Sequence, residues 1–202
     1  MQIAIFGSTG RLGAHLVSQA LEAGHSVTAA ARTPERVSTR HPELTTVQCD
    51  VLQPETLPAA VQGADVVMVS LTGPGQTRSQ GTANILAAMS ASGVDRILIV
   101  STIGVGESIN QLSLAGRAFV RTVIRSAVSD HSRQETLVRD SGVRWTIARP
   151  GGLTNADLSG SYRASPDGTI RVGQVPRADV AHFLLRSMDD ASTEGKTYAL
   201  SS

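Results

Sequence analysis

The stretch Gly7-Ser8-Thr9-Gly10-Arg11-Leu12-Gly13 follows an apolar run, Gln2–Phe6, and opens a helical pattern. Glycine suits each of its three places for a separate reason. Gly7 permits a tight turn, Gly10 lets a pyrophosphate approach the backbone, and Gly13 lets the following helix pack close to the sheet. The intervening Ser8, Thr9, Arg11 and Leu12 present their backbone N–H groups at a helix start, where unpaired donors and the positive end of the helix dipole attract phosphate. The strand–turn–helix setting is the one in which such a triplet binds a dinucleotide. A second group lies at the end of the next apolar run, where Ala31 is followed by Arg32-Thr33-Pro34-Glu35-Arg36. A site for a free ribose 2′-hydroxyl places an acid there. Here Arg32 stands in that place, and a guanidinium grips a 2′-phosphate that a carboxylate would repel, with Thr33 and Arg36 as further donors. The expected cofactor is NADP(H).

These residues need a scaffold, and the rest of the chain supplies its pattern. Apolar runs at Gln2–Phe6, Ser26–Ala31, 45–49, 65–71, 96–101, 144–148 and 197–200 are continuous rather than alternating, as in strands buried on both faces of a parallel sheet. Helical patterns fall between them, at 12–23, 55–62, Thr77–Ser92, 112–127, 132–141 and 177–188. Gly24, Gly63, Gly93 and Gly142 sit where helix C-caps belong. The alternation predicts an α/β fold, a Rossmann-type doubly wound parallel sheet. One domain is expected over residues 1–202, with a small substrate-side cap at about 151–175, where Ser165-Pro166-Asp167-Gly168 reads as the turn of a short hairpin.

Composition narrows the function. Among 202 residues, 18 Lys+Arg against 17 Asp+Glu leave a net charge of +1, which argues against a nucleic-acid partner. Aromatics are 3%, too few for a base-stacking platform. No apolar run reaches the roughly 20 residues that span a bilayer, and no secretory signal is evident, so a cytoplasmic protein is expected. Cys49 stands alone, and His15, His25, His41, His131 and His182 lack metal-ligand spacing, so no metal is expected. Arg117, Arg121 and Arg125 form a basic stripe on the predicted 112–127 helix, a solvated face or an anchor for an anionic acceptor such as FMN.

The chain resembles the atypical short-chain dehydrogenases/reductases, the branch that includes NmrA-like proteins and the flavin reductase/biliverdin-IXβ reductase group. The resemblance rests on the glycine turn at 7–13, Cys49-Asp50-Val51-Leu52, and Gly81-Thr82-Ala83-Asn84-Ile85-Leu86-Ala87-Ala88-Met89. It continues in Ser141-Gly142-Val143-Arg144-Trp145-Thr146-Ile147-Ala148-Arg149-Pro150-Gly151 and Pro176-Arg177-Ala178-Asp179-Val180-Ala181. It implies that Asp50 and Val51 flank the adenine and that Leu71, Thr72 and Gly73 line the cofactor. It further implies that Ser101 and Thr102 sit beside the nicotinamide ribose, and Pro150, Gly151 and Gly152 beside the nicotinamide.

The superfamily's Tyr-x-x-x-Lys pair, its usual acid/base, is missing. Ala127 and His131 occupy the matching positions, and neither Tyr162 nor Tyr198 is followed by lysine at the fourth place. Alanine exchanges no proton, so alcohol/ketone chemistry is not expected. Thr102 and His131 are the candidate catalytic residues, His131 as a proton donor or a ribose ligand. Ile103 and Gly152 replace the serine and histidine that shape the site of the resembled biliverdin reducers. The expected activity is NADPH-dependent hydride transfer to a small conjugated acceptor: a flavin (FMN or riboflavin), a quinone or a linear tetrapyrrole. The competing class is a non-catalytic NADP(H)-binding regulatory protein of NmrA-like type. A monomer or homodimer is expected in either case.

Overall fold

The fold comes from a computed structural model, which describes residues 1–166 and 170–202. In chain order the elements are β1 (Gln2–Phe6), α1 (Arg11–Glu22), β2 (Ser26–Ala31), β3 (Leu44–Gln48), α2 (Pro58–Val61), β4 (Val66–Val69), α3 (Thr77–Ser92) and β5 (Arg96–Val100). There follow α4 (Leu114–Thr122), α5 (Arg125–Asp140), β6 (Arg144–Pro150), β7 (Gly152–Thr154), β8 (Arg163–Ser165), β9 (Gln174–Pro176), α6 (Arg177–Ser187) and β10 (Lys196–Ser201). Eight strands form one sheet in the order β3-β2-β1-β4-β5-β6-β10-β8. All its pairings are parallel except that of β8 with β10.

Alternate strand residues face two separate cores. Ile3 and Ile5 join Leu16, Val17, Val180 and Leu184 of α1 and α6 on one face. Ala4 and Phe6 join Leu57, Ile85, Met89 and Val138, under α2, α3 and α5, on the other. Burial on both faces accounts for the uninterrupted apolar runs. Gly24, Gly63, Gly93 and Gly142 all hold positive φ angles at helix ends, as expected of caps.

Three sequence expectations are corrected. The 55–62 helix is a 3-10 turn at Pro54–Thr56 followed by the single turn α2, because Pro58 brings no N–H to a continuous helix. The helices expected at 112–127 and 132–141 are instead α4 and α5, broken at Val123-Ile124. Ser113 starts α4, its Oγ accepting from the Gly116 N–H at 3.2 Å. Arg125 opens α5, so the basic stripe does not exist as one face, and Arg117 turns back to the carbonyls of Leu112 and Asn110. No hairpin joins β8 to β9 among the described residues: β7 pairs in parallel with β9, and β8 extends the main sheet. The expected turn residues Asp167 and Gly168 lie outside the described residues.

Candidate active site

The carboxyl ends of the parallel strands meet the start of α1, the place where open α/β sheets bind ligands. Gly7 holds φ 82°, and a Cβ there would lie 2.2 Å from the Ser70 carbonyl oxygen at the end of β4. A Cβ on Gly13 would lie 2.1 Å from the Gly7 oxygen. Any side chain at either place forces β1, the turn and α1 apart. Ser8 is buried and its Oγ donates to Ala30 O at 2.9 Å, which ties the turn to β2 and leaves only its backbone for a ligand. The first turn of α1 holds no acid, so its positive end is uncompensated.

Past β2, Arg32, Thr33 and Arg36 are exposed around a short 3-10 turn, Pro34–Arg36. Among the described residues neither arginine forms an ion pair. Past β3, an Asp50 carboxylate oxygen accepts from the Leu52 N–H at 3.0 Å, and Val51 O accepts from Asn84 Nδ2 at 2.8 Å, which anchors that loop on α3.

A cleft of about 410 Å³ runs from the glycine turn to the ends of β5 and β6. Of the sequence-predicted residues it is lined by Gly10, Arg11, Leu12, Leu71, Thr72, Ser101, Thr102, His131, Pro150 and Gly151. Thr9 and Gly73, with Gly7, Ser8, Arg32, Thr33, Arg36, Asp50 and Val51, lie outside this lining in the segments that follow β1 to β4, as do Gly13 in the first turn of α1 and Gly152 at the start of β7. The structure adds Arg78 and Arg177 to the wall. Arg78 donates from Nη1 to Gly73 O at 3.1 Å and lies 3.7 Å from Asp130, yet its Nε is buried without a partner. A buried orphan donor in a cleft fits a ligand oxygen, such as those a dinucleotide carries. Arg78 owes its place to Asp130 of α5, which accepts from the Arg78 and Ser79 backbone N–H groups and from Ser79 Oγ and so caps α3. That partnership spans 51 or 52 residues and leaves no local signal.

Among the described residues the cleft holds acceptors and cations but no proton donor of ordinary acidity. Ser101 Oγ donates to Glu135 Oε1 at 2.6 Å. Glu135 is fully buried, and Arg149 binds it through Nε at 2.8 Å and Nη2 at 2.6 Å, with Arg139 Nη2 at 2.8 Å. Thr102 Oγ1 donates to Ile103 O at 3.2 Å. The His131 ring pairs through Nδ1 with Gln134 Oε1 at 3.1 Å, and Gln134 Nε2 in turn donates to Thr82 at 3.0 Å. Nδ1 is therefore the protonated nitrogen, and Nε2 carries the lone pair. Burial, and after it the Arg78 cation, lowers the His131 pKa to about 4. A ring that is neutral at physiological pH suits a ribose ligand, which accepts from a hydroxyl, better than a proton donor. Tyr162 and Tyr198 stand away from the cleft, and burial raises both phenols.

The same shift sets a stability prediction. The unfolded chain protonates this ring as pH falls below 6.5, whereas the folded chain resists until about 4. Stability is full above the upper value and falls between the two by about 3 kcal/mol. Urea midpoints against pH are expected to show this slope in the wild type and to lose it in His131→Asn. Equal slopes would contradict the burial argument.

Among the described residues no group of His, Cys, Asp and Glu fits a metal, and no helix is long and apolar enough to cross a membrane. Residues 7–191 match the model of the NAD(P)H-binding family. The chain is 26% identical to an uncharacterized sugar epimerase of Bacillus subtilis, over 99% of this chain and 94% of that one. It is 28% identical to (4-alkanoyl-5-oxo-2,5-dihydrofuran-3-yl)methyl phosphate reductase of Streptomyces griseus, over 98% of this chain and 67% of the relative. Its fold is similar to that of ChuY, an anaerobillin reductase of Escherichia coli O157:H7, at TM-score 0.86 and 21% identity, covering 100% of this chain and 97% of that one. This chain belongs to the NAD(P)H-binding family, and its fold is of the Rossmann type.

Proposed function

We propose that this protein is an NADPH-dependent reductase of a conjugated acceptor: a flavin, a quinone or a linear tetrapyrrole. One observation carries the reading: the cleft beside the glycine turn offers cations and acceptors but no acid. The Ser101 hydroxyl is engaged as a hydrogen-bond donor to Glu135, His131 is neutral, and Ala127 stands where the resembled superfamily has tyrosine. A conjugated acceptor spreads the incoming electron pair over its π-system and takes its proton from water, so the protein has only to align the partners. NADPH, when bound, supplies the hydride. The glycine turn would hold its pyrophosphate, and Arg32, Thr33 and Arg36 its 2′-phosphate. His131 Nε2 would accept from a ribose hydroxyl, and Thr102, Pro150 and Gly151 would border the nicotinamide. The reductase names of two similar proteins support this reading; the epimerase name of a third does not, since sugar epimerases of this superfamily also use the tyrosine that is absent here.

The test compares acceptors. NADPH oxidation is expected with FMN or a quinone and not with a simple dialkyl ketone. Comparable turnover of the ketone would show a proton donor that this reading denies. The missing tyrosine also favours a second reading, a non-catalytic NADP(H)-binding regulator, and tight binding with no turnover on any of these acceptors would support it.

A further inference from the structure

Arg177 opens α6 and lines the cleft next to Gly151 and Leu153. Its Nη1 is committed to the end of β7 and the loop that follows it: it donates to Leu153 O at 3.3 Å, Thr154 O at 2.9 Å and Asn155 Oδ1 at 2.7 Å. Among the described residues, Nε and Nη2 have no hydrogen-bond partner, and no carboxylate lies within ion-pair distance of the guanidinium. The acid closest in sequence, Asp179, is fully buried and already taken. It accepts from the Ser159 and Gly160 N–H groups, each at 2.9 Å, and from Ser159 Oγ at 2.6 Å. Among the described residues no aspartate or glutamate lines the cleft.

Clamping the loop therefore explains one nitrogen of Arg177 and leaves the rest unexplained. A lysine ammonium would reach the same carbonyls. What arginine adds is the Nε–Nη2 edge, two parallel N–H groups that match the oxygens of a carboxylate or phosphate. The other cations of the cleft are placed differently: Arg11 belongs to the glycine turn, and Arg78 shares its charge with Asp130. Arg177 lies on the β7 side of the cleft, away from the glycine turn, and keeps Nε and Nη2 uncommitted among the described residues.

We propose that Arg177 selects acceptors that carry a carboxylate or phosphate, binding that group through its Nε–Nη2 edge. This rests on the reductase reading of the same cleft. FMN and riboflavin are the matched probes, since they share one ring system and differ by a phosphate. Each is titrated against protein saturated with NADP⁺, which keeps the flavin phosphate out of the cofactor's own phosphate sites. The wild type is expected to bind FMN at least about tenfold tighter than riboflavin, with a preference that weakens in salt. Arg177→Gln brings the two constants together, and Arg177→Lys, which keeps the charge and the loop contacts but not the fork, falls between. Equal binding of both flavins by the wild type, no FMN binding, or a preference that survives in both variants overturns the proposal. Turnover of an uncharged quinone by the wild type is measured separately. Quinone turnover without FMN preference sinks the role of Arg177 alone, whereas FMN preference without turnover on any acceptor sinks the reductase reading and leaves an acid-binding cleft.

Discussion

Arg32→Asp is expected to raise the KM for NADPH by about two orders of magnitude and to turn the cofactor preference toward NADH. Arg32 and Arg36 are exposed cations without ion-pair partners among the described residues, placed just past the end of β2. A 2′-phosphate lying between them gains charge-assisted hydrogen bonds, each worth roughly 1.5–3 kcal/mol. The aspartate removes one of these and adds repulsion, and about 2.7 kcal/mol is already a hundredfold. The same carboxylate is the group that accepts from a free 2′-hydroxyl, so NADH loses nothing. Steady-state kinetics with both cofactors check this, and an unchanged preference would remove Arg32 from the site.

The second large effect lies at the opposite end of the sheet. Arg96→Met is expected to cost about 3 kcal/mol of stability, read as a lower urea midpoint, while cofactor affinity of the folded protein is kept. Arg96 is 1% exposed at the start of β5, and no carboxylate lies within ion-pair distance of it among the described residues. Its charge rests on neutral oxygens: Ser187 O at 2.6 Å and Met188 O at 3.1 Å, where α6 ends, and Thr146 Oγ1 at 2.7 Å. Burial lowers the pKa of the guanidinium, a shift that the more distant charges of Glu194, Asp95 and Asp190 oppose, and the negative end of the α6 dipole also favours the cation. Methionine fills the space of the stem but leaves those carbonyls dry and unpaired. A variant as stable as the wild type would mean that water replaces the guanidinium there.

The two sites differ in how far they can be read in sequence. The roles proposed for the glycine turn and for the arginines after β2 depend on their own backbone and sequence neighbours, so spacing alone marks them as candidates. The apolar strands and α3, found at Thr77–Ser92 as expected, are legible for the same reason. Helix α5 is not. Its inward face carries Asp130, His131, Gln134 and Glu135, all buried, and local polarity reads such a face as surface or break. Each is satisfied from afar: Asp130 and Gln134 by α3, Glu135 by Ser101 and Arg149. Arg78 and Arg177 escaped as site residues because their meaning lies in what they leave unpaired, and pairing exists only in three dimensions.

This cleft is proposed to pass hydride from NADPH to a conjugated acceptor without an acid of its own. The most direct test follows the nicotinamide absorbance of NADPH with purified protein, with and without FMN, across the pH range in which His131 would titrate if it were exposed. FMN-dependent oxidation is expected, with a rate that shows no inflection near the ordinary histidine pKa, since the ring is held neutral down to about 4. Tight NADPH binding with no oxidation by flavin, quinone or tetrapyrrole would contradict it, as would a rate that collapses when a group of ordinary histidine acidity loses its proton.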